Sequence, residues 1–318
     1  MIILTNGEGK IGFKPAVDTL QAGKSALDAV EIGIREVERD PAIRSVGRGG
    51  HPNLLGEVEC DAAIIDGATR QAGAIGGQRG YLHAISTARH VMDKLPHVFI
   101  TGQGTALFSR ESGGEPAEML TEQSAMEHET WLDNQVASHL RNNWPESGLK
   151  SDLAGYVWRS GEDLTARGTT IYLAIDNQGH IAAGASTSGW ARKYPGRIGD
   201  SSVIGAGLYA DDRYGACGCT HTGEMTIRAC TARSVVLYMK KGATVVEACH
   251  EALIDLTDLR GGYLGPVAIH AIDHRGTPFV LGTHDLDREI FYCFWDDKSG
   301  RYTYPTPQRG ESATSGNS

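Results

Sequence analysis

A chain of 318 residues with 40% hydrophobic residues is long enough to bury a sizeable core, as one large or two ordinary domains. Its net charge of -9 and lack of any basic run argue against a nucleic-acid partner, because phosphate binding needs clustered Lys and Arg. Met1-Ile2-Ile3-Leu4-Thr5-Asn6 has neither the basic start nor the apolar length of a signal peptide, and no run of about 18 apolar residues follows. A soluble, cytoplasmic protein with no membrane partner is expected.

After this strand-like start, Gly7-Glu8-Gly9-Lys10-Ile11-Gly12 fits GxGxxG. A dinucleotide site would need a returning strand to bring an acid to the ribose. Here helix follows helix through Arg39, so the glycines read as a loop entering the fold and no cofactor is expected. Apolar residues at helical spacing predict helices over 13–22 and 25–39, the second with Leu27, Val30, Ile34 and Val37 in phase. Ser25 is placed to cap it and Pro41 lies just beyond its end. Strands are expected over 58–65 and 72–75, joined through Asp66-Gly67, then a helix over 83–95.

From 111 to about 168 the chain is polar and reads as a linker. It holds Gly113-Gly114, a helix over 117–140 after Pro116, and a loose stretch over 142–166. Its polar end, Ser160 to Arg167, suits an exposed, cleavable segment. Beyond it, 169–176, the turn Asn177-Gln178-Gly179 and 181–187 form a β-hairpin, a design repeated by 267–273, His274-Arg275-Gly276 and 278–281. Helices are expected over 224–240 and 244–259, and a disordered tail over 310–318. The 41 glycines, well above the usual ~7%, punctuate short strands and turns. Sheets alternating with helix pairs suggest an α+β fold, layered as an αββα sandwich.

Cys60, Cys217, Cys219, Cys230, Cys249 and Cys293 lack paired CxxC spacing and read as free thiols. His270 and His274 lie near each other without a third ligand, and His180 and the other histidines lack zinc-like spacing, so no metal is expected. There is no Gly-x-Ser-x-Gly elbow.

The richest stretch is Arg167-Gly168-Thr169-Thr170-Ile171-Tyr172. If the Gly168-Thr169 bond were cut, Thr169 would carry a hydroxyl nucleophile and its own base, an α-amine with an ordinary pKa of about 7.7–8. The plain alternative is a Gly-Thr pair that simply opens a strand. Gly196-Arg197-Ile198-Gly199-Asp200-Ser201 brings a guanidinium and a carboxylate together, fit to hold the two charged ends of an amino acid or to form a local surface pair. Thr220-His221-Thr222-Gly223 offers a hydroxyl and closely spaced N–H groups before a helix, either an oxyanion hole or a cap.

Together these residues resemble the N-terminal-nucleophile asparaginases, and among them the glycosylasparaginases (N4-(β-N-acetylglucosaminyl)-L-asparaginases). The resemblance covers roughly 14–108 and 169–259. It is carried by Thr169, Gly179-His180-Ile181-Ala182-Ala183-Gly184, Ser186-Thr187-Ser188-Gly189, Gly196 to Ser201 and Gly205-Ala206-Gly207-Leu208-Tyr209-Ala210-Asp211-Asp212. In the first half it is carried by Glu38-Arg39-Asp40-Pro41, Ser45-Val46-Gly47, Gly49-Gly50, Pro52-Asn53 and Asp61-Ala62-Ala63-Ile64-Ile65-Asp66-Gly67.

The resemblance implies a four-layer αββα fold that cleaves itself between Gly168 and Thr169. The products would be an α chain of 1–168 and a β chain of 169–318 within a single domain, paired as an (αβ)2 homo-assembly. Thr169 would be the nucleophile and Thr187 would position or tune it. Arg197 would bind the substrate α-carboxylate and Asp200 the α-amine. The Thr220 hydroxyl and the His221 N–H would hold the oxyanion, with His221 and Gly223 at the substrate. The implied activity is cleavage of the side-chain amide of glycosyl-asparagine or a related small molecule. The alternatives are an isoaspartyl peptidase/L-asparaginase and an unprocessed amino-acid-binding protein. Three positions depart from the glycosylasparaginase pattern. Gly168 replaces the usual Asp, as in isoaspartyl peptidases. His221 replaces a usual Gly, and Thr5-Asn6-Gly7-Glu8 lacks the usual tryptophan.

Overall fold

The computed structural model describes residues 1–150, 152–161, 168–283, 290–299, 301–303 and 308–309. Strand β1 (Ile2–Asn6) passes through a 3-10 turn (Gly7–Gly9) into α1 (Lys10–Gln21) and α2 (Ala26–Arg39). Next come β2 (Cys60–Asp66), β3 (Ala72–Gln78), α3 (Ala84–Lys94), β4 (Phe99–Thr101) and α4 (Gln103–Glu111). Four helices follow: α5 (Glu122–Gln135), α6 (Ser138–Arg141), α7 (Glu146–Leu149) and α8 (Leu153–Ser160). The second half holds β5 (Thr170–Ile175), β6 (Ile181–Thr187), β7 (Leu208–Asp211), β8 (Gly215–His221), α9 (Gly223–Ala229), α10 (Thr231–Lys240) and α11 (Val245–Thr257). It continues with β9 (Val267–Asp273), β10 (Pro278–Gly282), β11 (Tyr292–Asp296), β12 (Arg301–Thr303) and β13 (Gln308–Arg309).

The described residues form a mixed α and β fold with two sheets, ordered β12-β11-β1-β5-β6-β2-β3-β4 and β13-β10-β9-β8-β7. In the first sheet β5 runs antiparallel between β1 and β6, pairing Thr5 with Tyr172 and Thr170 with Ser186. Strand β2 then pairs Asp61 with Thr187 of β6. Antiparallel register therefore puts the end of β1, the start of β5, the end of β6 and the start of β2 at one end of the central strands. Asn6, Thr169, Thr187 and Asp61 meet there.

Period-2 alternation explains why β5 is apolar throughout. Tyr172 and Ala174 join one apolar cluster with Val17, Val30, Ile34 and Ile85 of α1, α2 and α3. Ile171, Leu173 and Ile175 join another with Leu208, Ala216, Ile272 and Val280 of the second sheet. A third gathers Cys217, Cys219, Ile269 and Leu281 with Val235, Val236, Ala252 and Leu256 of α10 and α11. Each fully buried aliphatic side chain contributes about 1.5–3 kcal/mol, so the clusters hold β5 firmly.

Helix α2 begins where its cap chemistry dictates: Ser25 and Asp28 form a reciprocal capping box. It lies directly on β5, since a Cβ on Gly33 would stand 2.5 Å from the Tyr172 ring. The glycines of the GxGxxG match serve packing too. A Cβ on Gly9 would strike the Thr5 hydroxyl, and one on Gly12 the Gly33 carbonyl. The Tyr172 hydroxyl donates to the Gly9 carbonyl and ties this first loop to β5.

Several elements differ from expectation. The helix anticipated over 117–140 starts only at Glu122, capped by Thr121, and ends at Gln135. The stretch expected to be loose carries α7 and α8, and Leu54, Leu132, Val136, Leu153 and Tyr156 form a small apolar cluster across it. Leu153, Tyr156 and Val157 are at helical spacing, but Pro145, Gly148, Gly155 and Gly161 interrupt the stretch and hide the short helices. The helix over 224–240 is broken at Cys230, whose φ is +50, into α9 and α10. Strand β4 and helix α4 were not anticipated, being short and partly exposed. Residues 162–167 and the tail at 310–318 lie outside the described residues. All six cysteines are free, and burial pushes the Cys217 thiol pKa well up. Among the described residues no helix is long and apolar enough to cross a membrane.

Candidate active site

Thr169 stands one residue before β5 and is buried. Its carbonyl accepts from Asn6 Nδ2 at 2.5 Å, while Asn6 Oδ1 accepts from the Ile171 N–H at 3.1 Å. The Asn6 side chain thus extends the β1–β5 ladder past its last backbone pair. The same Nδ2 donates to Glu8 Oε2 at 2.6 Å, which anchors a carboxylate beside this end of β5.

On the other side of the Gly168-Thr169 bond, Thr187 Oγ1 donates to the Gly168 carbonyl at 2.7 Å. The Ser45 carbonyl lies at 3.3 Å, and the hydroxyl accepts from the Gly189 N–H at 2.9 Å. A hydroxyl that accepts an N–H becomes a better donor, so the Gly168 carbonyl is polarised by a two-link chain. Thr187 therefore reaches the carbonyl of residue 168, and no hydrogen bond joins it to the Thr169 hydroxyl among the described residues.

Space explains the glycine at 168. A Cβ there would stand 2.5 Å from Ser45 Oγ and 2.9 Å from Glu8 Oε1. Overpacking of this kind costs about 1–3 kcal/mol. Gly168→Ala is expected to lower the melting temperature. Any chain cleavage, followed on denaturing gels, should slow by about tenfold or more as the carbonyl shifts from Thr187. Cleavage at the wild-type rate would show that Ser45 and Glu8 yield freely.

The Arg197 loop is held from β2. Asp61, fully buried, accepts from the Gly77 N–H with Oδ1 and from the Gly199 N–H with Oδ2, each at 2.9 Å. The loop also touches the Thr187 region, because a Cβ on Gly189 would lie 3.3 Å from Arg197 Nη1. Arg197 does not pair with Asp200. Its Nε and Nη2 donate to Glu224 Oε1 at 3.0 and 2.8 Å, and its guanidinium lies 4.8 Å from the Trp190 ring centroid.

Asp200 is 4% exposed and accepts from Thr226 Oγ1 at 2.7 Å. Burial pushes its pKa up to about 6; Glu224 adds to the rise, while the Thr226 hydrogen bond and Arg197 oppose it. Gly223 opens α9 because a Cβ there would stand 2.7 Å from Asp200 Oδ1. The Thr220 turn and Asp200 are thereby joined through Gly223 and Thr226. Thr220 is 2% exposed, and its Oγ1 lies 2.9 Å from His221 Nδ1. His221 has φ +84, a left-handed conformation that costs a residue with a Cβ about 1–3 kcal/mol.

The anticipated residues fall into two linked groups. One is Gly168, Thr169 and Thr187. The other is Arg197, Asp200, Thr220, His221 and Gly223. Asn6, Glu8, Ser45, Asp61 and Glu224 were not anticipated in any role. Glu224 left a trace as an acid in the first turn of the helix after the Thr220 stretch, and Ser45 and Asp61 as members of runs quoted for the resemblance. Strand register places Asn6 and Asp61, while Glu8 and Ser45 come from the turn after β1 and the segment between α2 and β2. His270 is fully buried in β9, where burial pushes its pKa down to about 3.

The chain matches the Asparaginase_2 family, described as asparaginase, over residues 12–282. It is 33% identical over 291 residues to N(4)-(Beta-N-acetylglucosaminyl)-L-asparaginase of Elizabethkingia miricola, covering 90% of this chain and 78% of that protein. It is 33% identical over 277 residues to the N(4)-(beta-N-acetylglucosaminyl)-L-asparaginase of Mus musculus, covering 82% and 80%. Isoaspartyl peptidase of Escherichia coli is 33% identical over 295 residues, covering 92% and 83%.

Proposed function

The chain belongs to the Asparaginase_2 family, and from that premise we propose that it cuts itself between Gly168 and Thr169 and then hydrolyses the side-chain amide of an asparagine derivative. The observation that carries this reading is the Thr187 hydroxyl on the Gly168 carbonyl, with Thr169 held at the end of a central strand. Attack by Thr169 Oγ on the Gly168 carbonyl carbon breaks the C–N bond and leaves an ester with a free Thr169 amine. Water then opens the ester.

In the processed enzyme Arg197 takes the substrate α-carboxylate and Asp200 the α-ammonium. Thr169 Oγ attacks the side-chain carbonyl carbon, its proton passing to the Thr169 amine, while Thr220 Oγ–H and the His221 N–H donate to the oxyanion. The proton moves on to the departing amine, and water releases aspartate from Thr169. The two sheets with α1–α3 on one side and α9–α11 on the other fit a four-layer αββα sandwich. The processed chains are expected to pair as (αβ)2. The leading substrate is N4-(β-N-acetylglucosaminyl)-L-asparagine, the amide in the names of the first two relatives. A β-aspartyl dipeptide or free asparagine is the second reading, favoured by Gly168 and by the similarity to isoaspartyl peptidase.

Denaturing gels and intact mass of the purified protein, with turnover of those three amides, test the proposal. Pieces of roughly 18 and 16 kDa, scaled from chain length, are expected. An uncut 34.1 kDa chain that binds an amino acid without turning over an amide would make it a binding protein.

A pH dependence follows from Asp200. Only its ionised form holds an ammonium, so affinity for L-aspartate, measured by calorimetry between about pH 5 and 7.5, should rise through about 6. A flat profile would remove Asp200 from that role. The folding contribution of this group runs the opposite way. Its folded pKa lies above the ordinary 3.8, so its stabilisation is complete below 3.8 and is lost as pH rises through about 6.

A further inference from the structure

We propose that His221 is a positioning residue for the oxyanion threonine, its Nδ1–H donating to Thr220 Oγ1 so that Thr220's own proton turns into the site. This deepens the role given to Thr220 above and rests on it. Residue 221 closes β8 with φ +84, a conformation that glycine adopts freely and that any side chain makes unfavourable. The chain carries an imidazole there nonetheless, and Nδ1 lands 2.9 Å from the Thr220 hydroxyl.

A hydroxyl has one proton and two lone pairs. If Nδ1 is bare, Thr220 spends its proton on the ring and presents lone pairs to the site, which repel a developing negative charge. If Nδ1 carries the proton, the ring donates to a lone pair and the Thr220 O–H is released to the oxyanion. Donation by the ring also polarises the O–H and makes it a stronger donor. Among the described residues the hydroxyl has no other hydrogen bond, and it is nearly sealed from solvent, so the ring sets its direction.

The test compares wild type with His221→Gly, His221→Asn, Thr220→Ala and the double variant Thr220→Ala/His221→Gly. Each is assayed as processed enzyme, quantified by intact mass, on whichever of the three amides wild type turns over fastest. Glycine suits the backbone at 221, so His221→Gly should melt at or above the wild-type temperature. Its kcat is expected to fall about 10–100-fold, with KM within about threefold. Asparagine tolerates positive φ, and its Nδ2 stands one bond from Cγ as Nδ1 does, so it should recover most of the loss. The double variant should be no slower than Thr220→Ala, because His221 acts through that hydroxyl.

A His221→Gly enzyme with wild-type kcat, an asparagine variant no better than glycine, or losses that multiply in the double variant would each overturn the proposal. Thr169→Ala separates the two levels. If that variant is inactive while one of these results appears, the positioning role alone fails. If it turns substrate over, the reading of the whole site fails as well.

Discussion

Thr169→Ala is expected to migrate as one chain of 34.1 kDa and to show no turnover of any of the three amides, a loss of at least about 10⁴-fold. The size of the effect comes from one atom serving two reactions. In the proposed mechanism Thr169 Oγ attacks the Gly168 carbonyl to free the amine, and the same oxygen then forms the acyl-enzyme. Removing it deletes the nucleophile for both and leaves the base masked as an amide. The alanine variant should fold, because Asn6 bonds to the backbone carbonyl of residue 169 and β5 is held by apolar contacts on both faces. Intact mass and an unchanged melting temperature check this. A variant that is still cut at 168–169, or that still releases aspartate, would remove Thr169 from the mechanism.

Arg197→Met should reduce kcat/KM by about 10³-fold while chain cleavage proceeds at close to the wild-type rate. Methionine keeps much of the volume of the apolar stem but loses the two-pronged cation and with it the guanidinium contact on the Trp190 ring. Two losses add. The substrate α-carboxylate has no partner, and Glu224, which takes both Nε and Nη2 of Arg197, is left as a partly buried carboxylate without its cation. Truncating one member of such a pair costs about 2–5 kcal/mol. The loss should appear mainly in KM, because the carboxylate is bound equally in the ground state and the transition state. Steady-state kinetics and a cleavage time course separate the two effects. A loss confined to kcat would place Arg197 at the reacting carbonyl instead.

In the structure Glu224 occupies the guanidinium that the proposed reading gives to the substrate α-carboxylate. Binding must then either share Arg197 between two carboxylates or use its remaining donors, since Glu224 takes only Nε and Nη2 through one oxygen. Nη1, which lies between Gly189 on the Thr187 side and Gly199, would on the proposed reading be the donor offered to the substrate.

The sequence by itself determined the features built from neighbours. The two hairpins at 170–187 and 267–282 follow from short strand-like runs closed by the turns Asn177-Gln178-Gly179 and His274-Arg275-Gly276. The capped helix α2 follows from Ser25, Asp28 and a regular apolar face. Thr169, Arg197, Asp200 and Thr220 could be singled out as candidates because each sits in a short run whose residue types suggest a chemistry. What only the tertiary structure decided is what each of these groups touches. Asn6 meets Thr169 across 163 residues of chain, Asp61 meets Gly199 across 138, and Arg197 takes Glu224 in place of Asp200. These pairings depend on strand register and on which loops reach the same end of the central strands, quantities set by the packing of both faces of β5. The glycine at 168 belongs with them: its reason is the space filled by Ser45 and Glu8, and no local pattern reveals a distant side chain.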